Sequence, residues 1–286
     1  MPSLIDIRRR IRSVKNTQQI TKAMKMVSAA KLRRAQERVI AARPYAGLLR
    51  KMLANVAGAV VSSESAGVNP LLSAREERRI QLILITGEKG LAGAFNSNAI
   101  KASLRFAEER AGASLEFVLL GRKGRDFYRK RNAAIRGEHT GIMNKVLYAD
   151  AAGIAREAAE RFAQEEIDAV YVLYNEFRSA ASQKLTVSRV LPVELPAGQS
   201  PTEYIFEQAP DQILGRLLPR YLEVEIYRAM LESAAAEHAA RMTAMDAATS
   251  NAAEMIDNLT LYMNRVRQAS ITKEIIEVVS GAAAAE

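Results

Sequence analysis

The chain has 286 residues, 49% of them hydrophobic and only 6% aromatic, with no Trp, no Cys and a formal net charge of +9 at pH 7. The missing Cys excludes disulfide staples, a thiolate nucleophile and a Cys-ligated zinc, and the length allows one large domain or two modest ones. Plentiful Ala and Met beside few aromatics suits long helices, and the positive charge points to an acidic partner: nucleic acid, an anionic membrane surface or acidic protein.

The first ten residues carry Arg8-Arg9-Arg10 and no apolar signal core, and the uncharged run Met52 to Ser63 is too short to span a bilayer. A soluble, cytoplasmic protein is expected. From Leu4 onward, Ile7, Ile11, Val14, Gln18, Thr21, Lys25, Ser28, Leu32, Ala35, Val39 and Ala42 alternate spacings of three and four. That period holds one stripe on one side of a helix, and only Lys25 is out of character in it. The helix is expected to run from near Leu4 to the Gly58 region, with Pro44 a possible kink. At about 55 residues it would reach about 80 Å. Small polar residues from Ser62 to Asn69, followed by Pro70, mark a linker.

The period then changes. Arg79 to Thr86, Leu115 to Leu120, Ala169 to Tyr174 and Lys184 to Val190 are short, nearly continuous apolar runs, the pattern of strands buried on both faces. Helical stretches from Ser97 to Arg110 and from Ala149 to Glu165 separate them, so an open, mostly parallel sheet flanked by helices is expected. Pro192, Pro196, Gly198 and Pro201 mark the exit from this domain. The last helix begins between Asp211 and Pro219, and about 70 residues would reach roughly 105 Å.

In that helix Met242, Met245, Thr249, Ala252, Ile256, Leu259, Met263, Val266 and Ser270 repeat the stripe spacing. So many small, polar and Met members suit a close contact with one particular helix better than a self-sufficient zipper. The two stripes lie at opposite ends of the chain, and a compact domain between them would close them into an antiparallel hairpin that projects beyond the sheet domain. Charge agrees: Met1 to Lys51 holds 14 Lys+Arg against 2 Asp+Glu, net +12, and Met230 to Glu286 holds 4 against 8, net −4. The expected fold class is therefore α/β plus a long antiparallel coiled coil. Its divisions are an N-terminal coiled-coil helix (1–60), a linker (61–76), a Rossmann-like α/β domain (77–207) and a C-terminal coiled-coil helix (208–286).

Candidate chemistry is sparse. The loop Thr86-Gly87-Glu88-Lys89-Gly90-Leu91-Ala92-Gly93-Ala94-Phe95-Asn96 follows a strand and precedes a helix, where phosphates often bind. Its glycines are spaced Gly-x-x-Gly-x-x-Gly and no Gly-Lys-Ser/Thr follows, so a tight structural turn is the better reading. His139 and His238 are far apart and make no metal constellation; His238, four residues before Met242, reads as a packed helix histidine. The acid pairs Glu108-Glu109 and Glu165-Glu166 read as solvated faces. No catalytic residue, cofactor or metal is expected. The basic stretch Arg8-Arg9-Arg10-x-Arg12, Lys22, Lys25, Lys31, Arg33 and Arg34 could neutralise phosphates. It has no Leu-rich dimer seam after it and no aromatic before Tyr45, so a charged shaft facing acidic protein is the stronger reading and a basic coiled coil that binds nucleic acid the alternative.

Three segments carry a resemblance. Ile271-Thr272-Lys273-Glu274-Ile275-Ile276-Glu277-Val278-Val279-Ser280-Gly281-Ala282-Ala283-Ala284, Asn16-Thr17-Gln18-Gln19-Ile20-Thr21-Lys22-Ala23-Met24-Lys25-Met26-Val27 and Gly90-Leu91-Ala92-Gly93-Ala94-Phe95-Asn96 are similar to the hallmarks of the gamma subunit of F-type ATP synthases and lie along the chain in that family's order. The resemblance covers essentially the whole chain. Glu88-Lys89 stand where that family commonly has Asp-Arg, and Ala92 where it commonly has Cys. The cysteine-containing regulatory insertion of the chloroplast relatives is absent, so the chain resembles a bacterial form. The resemblance implies a non-catalytic rotor shaft, coupling ion flow through a membrane c ring to ATP synthesis or hydrolysis at the beta subunits. Its implied partners are three alpha and three beta subunits, epsilon and the c ring, with no nucleic acid. Its implied place is peripheral, on the cytoplasmic face of the bacterial inner membrane. By motif match, Met24, Arg241, Gln268 and Thr272 would touch the beta subunits, and Tyr204 and Glu207 the c ring.

Overall fold

The computed structural model describes residues 3–61, 69–194 and 208–283. The chain divides into two compact units, Met1–Ser28 with Met242–Glu286, and Ala29–Arg241. Both divisions fall inside long helices: α1 spans Leu4–Val61, with Pro44 within it, and α5 spans Pro210–Ala283, with Pro219 in its third turn.

The first unit is an antiparallel pair formed by the N-terminal half of α1 and the C-terminal half of α5. A reciprocal cap starts α1: the Asp6 N–H donates to Ser3 Oγ at 3.2 Å, and Asp6 Oδ2 accepts from Ser3 Oγ at 2.8 Å. Both stripes form the seam as the spacing predicts. Ile7, Thr21 and Ser28 are buried, Ile11, Val14, Gln18 and Lys25 half-buried, and on α5 Met245 and Ala252 are buried among half-buried Met242, Thr249, Ile256, Leu259, Met263, Val266 and Ser270. Two polar contacts set the register: Thr21 Oγ1 lies 2.8 Å from Thr249 Oγ1, and Lys25 Nζ 2.5 Å from Asp246 Oδ1. The misfit stripe residue Lys25 thus lays its apolar stem along the seam and reaches out with its charged head to a carboxylate. These pairs sum to 270 and 271, so Leu4 lies across from about Val266. Beyond Ser270 the seam has no counterpart in α1, and every residue from Ile271 to Ser280 is exposed.

The second unit holds a five-stranded sheet of order β3-β2-β1-β4-β5, with β1 (Arg79–Ile85), β2 (Ser114–Leu120), β3 (Ile135–His139), β4 (Ala169–Phe177) and β5 (Gln183–Leu191). The first four are parallel and β5 runs antiparallel on β4. Six of the seven β1 residues and eight of the nine β4 residues are buried, as central strands covered on both faces must be. One face presents Leu82, Leu84, Phe117, Leu119, Tyr171 and Leu173 to Ala99 and Phe106 of α2 (Phe95–Glu108) and Tyr128 of α3 (Arg122–Arg129). On the other, Arg161 of α4 (Tyr148–Ala163) donates to Gln81 of β1 at 2.8 Å. Two elements go beyond the sequence expectation, β3 and α3. Their sequences, Ile-Arg-Gly-Glu-His and a helix carrying four cations, have no apolar run because one is a sheet edge and the other is amphipathic over only two turns.

Candidate functional site

Within the second unit α5 is wrapped on all sides: every residue from Ala229 to Glu237 is buried. Among these apolar residues sit charges with fixed partners. Glu225, whose side chain is 8% exposed, receives Arg50 of α1 at 3.0 Å and Arg228 at 2.7 Å, and Arg228 also reaches Glu232 at 3.3 Å. Burial works against the Arg228 charge, but Glu225 and Glu232 outweigh it and hold the guanidinium above its ordinary range. Burial also raises the Glu232 carboxyl, against the pull of Arg228.

One turn later α5 carries the Gly-rich loop. Arg241 Nε donates to the Gly90 carbonyl at 3.3 Å, its Nη1 lies 3.3 Å from His238 Nδ1, and its Nη2 pairs with the Glu237 carboxylate. A Cβ at Gly87 would stand 2.7 Å from Glu237 Oε1, so that glycine gives the loop its close approach to the helix. The loop is further tied by Gly87 N–H to Asn96 Oδ1 at 2.8 Å, and Glu88 accepts from the Gly141 N–H at 2.6 Å. At the next strand end Gly121 has φ +94°, and a Cβ there would meet the Thr86 carbonyl at 2.2 Å. An open α/β sheet usually binds ligands where its strand order reverses, here between β1 and β4. Beside the β1 loop a carboxylate and a guanidinium of α5 take that place, which suits a structural turn and opposes a phosphate. Burial pushes His238 down to about 4, with Arg241 and Lys31 adding to it, so the ring is neutral at pH 7, a packed helix histidine. Among the described residues no group of three or more His, Asp or Glu could hold a metal.

The motif-matched contact residues fall in different places. Met24 is half-buried on α1, next to the Lys25–Asp246 pair. Gln268 and Thr272 are both exposed on α5 and adjacent, the Thr272 hydroxyl donating to the Gln268 carbonyl at 2.9 Å. They lie at and beyond the end of the seam, many turns from the Asp246 level that faces Met24. Arg241 belongs to the other unit, its side chain 11% exposed and committed to Glu237 and the loop. Tyr204 and Glu207 lie outside the described residues. Sequence reasoning missed the Glu237–His238–Arg241 group that seats the loop. Its i, i+4 acid–base spacing was visible, but its target lies about 150 residues earlier in the chain.

Beyond this, α5 ends in an uncovered apolar surface: Ile271 is 48% exposed, Ile275 57%, Ile276 58%, Val278 72% and Val279 61%.

A family model described as ATP synthase matches residues 3–285. The ATP synthase gamma chain of Solibacter usitatus is 72% identical over 286 residues, all of both chains, and that of an Anaeromyxobacter species 49% identical over 99% of each. Among solved structures, a chain of the Tetrahymena thermophila mitochondrial ATP synthase central stalk and c ring superposes with a TM-score of 0.63 at 26% identity, over 80% of this chain and 99% of that one. A chain of the Euglena gracilis mitochondrial ATP synthase superposes at 0.65 and 19% identity, over 98% and 94%, a likeness of fold.

Proposed function

This chain belongs to the ATP synthase gamma-chain family, and from that premise we propose how it does its work. It is the central-stalk rotor, a non-catalytic subunit of the synthase, and the nucleotide chemistry takes place at the beta subunits. Its partners are the alpha and beta subunits, epsilon and the c ring. The paired helices stand among the alpha and beta subunits, and the sheet domain faces epsilon and the ring. Ion flow turns the ring and with it the shaft, and the shaft's unequal sides favour a different nucleotide affinity in each beta subunit in turn. Such a device works only through differential contact energy, since a partner without it shifts no equilibrium.

The observation that carries this reading is the exposed apolar end of α5, Ile271 to Val279, within a chain that matches gamma chains over its whole length. A lone helix of that length is marginal in water, so a sleeve of other subunits is its natural cover. Met24, Gln268 and Thr272 are the beta-facing contacts. Arg241 acts on beta through the loop that it holds at Gly90, and Tyr204 and Glu207 meet the c ring. The shaft sits on the cytoplasmic face of the bacterial inner membrane as a peripheral subunit. Among the described residues no helix is long and apolar enough to cross a membrane, which fits attachment through partners.

The test uses the absence of native Cys. Lys101→Cys, at an exposed position on α2, accepts a single fluorophore. In surface-held complexes the label should turn stepwise in one sense as ATP is hydrolysed. A label that stays fixed while hydrolysis proceeds would end the rotor reading.

A further inference from the structure

In the second unit a cavity of about 200 Å³ opens between α1, the turn Ile142–Asn144 and α5. Lys31, Arg34 and Arg38 project from one side of α1, at i, i+3 and i+7, and Lys145 faces them from the turn. None of these four cations makes a hydrogen bond or ion pair within the described residues, and no carboxylate lines the cavity. The cluster of Arg50, Glu225, Arg228 and Glu232 in this unit is internally compensated. The cavity cluster is not, and unpaired cations gathered round a concavity repel one another unless an anion joins them.

The floor supplies a neutral donor. His238 lines the cavity and its Nδ1 faces the Arg241 guanidinium, which can only donate. The neutral ring therefore accepts at Nδ1 and carries its proton on Nε2, and no described residue accepts that proton. The ring is kept neutral by burial, and then by Arg241 and Lys31. The remaining floor is apolar, Met143, Val146, Leu231 and Ala234, each at most 8% exposed. Ligand chemistry that fits is compact, multiply charged and accepting on every side.

We propose that the cavity framed by Lys31, Arg34, Arg38, Lys145 and His238 is an oxyanion site that takes a phosphate group, either free or at the end of a nucleotide. The beta contacts proposed at Met24, Gln268 and Thr272 lie outside it. The cations are exposed and therefore screened, so the dissociation constant for inorganic phosphate is expected on the order of 1 mM rather than micromolar. Occupancy would tie α1, the turn and α5 together through one ion.

The test is a titration of the purified full chain, labelled on the imidazole carbons of its two His, with potassium phosphate at fixed pH and at ionic strength held constant with KCl. His238→Gln assigns the signal. The expected result is a saturable shift of His238. The pair Lys31→Gln with Lys145→Gln should weaken it about tenfold, as should Arg34→Gln with Arg38→Gln, while Arg12→Gln, outside the cavity, leaves it unchanged. A second titration with ADP distinguishes the sources. Saturation by ADP well below the phosphate concentration assigns a nucleotide-borne group, and saturation by phosphate alone assigns the free ion. A shift that follows KCl equally, one that never saturates, or full binding in both paired variants would overturn the proposal. So would variants that bind neither anion less well but fail to join an acidic partner subunit, since the cations would then serve protein docking.

Discussion

Replacing the exposed apolar residues at the end of α5 separates internal folding from partner cover. Fully burying an Ile or Val side chain contributes roughly 1.5–3 kcal/mol. Scaled by the exposed fractions of Ile271, Ile275, Ile276, Val278 and Val279, complete cover by other subunits is worth about 7 kcal/mol at the middle of that range, before other costs. Part of that is offset by ordering the helix and the surfaces that receive it. The combined variant Ile271→Ser, Ile275→Ser and Val278→Ser removes about 4 kcal/mol of it. In the isolated chain these positions cover nothing, so its thermal midpoint should move by no more than about 1 °C. Binding to purified alpha and beta subunits should weaken between about tenfold and a thousandfold. Hydrogen exchange supplies the companion measurement: amides beyond Ser270 should exchange rapidly in the isolated subunit and slowly in the complex. A large drop in the isolated midpoint, or strong protection of those amides in the monomer, would mean that the end folds onto its own chain, and the sleeve would have to be given up.

Met24→Lys adds a cation next to the Lys25–Asp246 pair at a half-buried site; assembly should survive while ions pumped per ATP hydrolysed fall, and an equal fall of pumping and hydrolysis would remove Met24 from the coupling contacts. Asp168→Asn should cost about 2 kcal/mol at pH 7, because the buried carboxylate accepts the Arg79 N–H at 2.8 Å and its guanidinium at 2.9 Å. Those bonds to Arg79 hold its pKa below the ordinary 3.8, so this stability is complete above that value and is lost as pH falls through the lowered one. The melting difference between parent and variant should therefore close in strong acid, and one that persists unchanged would refute the assignment. Gly121→Ala forces a Cβ to within 2.2 Å of the Thr86 carbonyl at φ +94°; it should cost more than about 3 kcal/mol and yield little folded protein, and a normal melt would show that the turn has room to move.

The helix pair was legible because its information is local. A spacing of three and four repeated over ten turns survives substitutions as unpromising as Thr21, Lys25 and Ser28, each of which still falls on the seam. The central strands were legible for the same reason, since burial on both faces leaves uninterrupted apolar runs. β3 and α3 escaped because an edge strand and a two-turn helix bury too little to write a pattern. The loop from Gly87 to Gly93 was seen as a turn, but what it turns against was not. Its neighbours Glu237 and Arg241 arrive from the far end of the chain, and nothing in a period of two or 3.6 encodes such a meeting. Met24, Gln268 and Thr272 came from resemblance alone; Gln268 and Thr272 are exposed and Met24 is half-buried.

The charges buried around α5 in the sheet-bearing unit have a mechanical meaning that their energy conceals. A buried ion pair adds little net stability, because the desolvation of its members nearly cancels their attraction. Apolar contacts, on the other hand, are non-directional: a helix gripped only by Leu and Ala can be turned about its own axis by exchanging one set of neighbours for another of similar worth. Glu225 held by Arg50 of α1, and Arg241 held to the Gly90 carbonyl, admit no such exchange. A few degrees of twist would part Glu225 from Arg50 and Arg241 from the Gly90 carbonyl, leaving each with only the partner on its own helix. They act as splines on an axle, idle at rest and engaged only when the axle is loaded, so that a turning force on the sheet-bearing unit passes into the helix without slip.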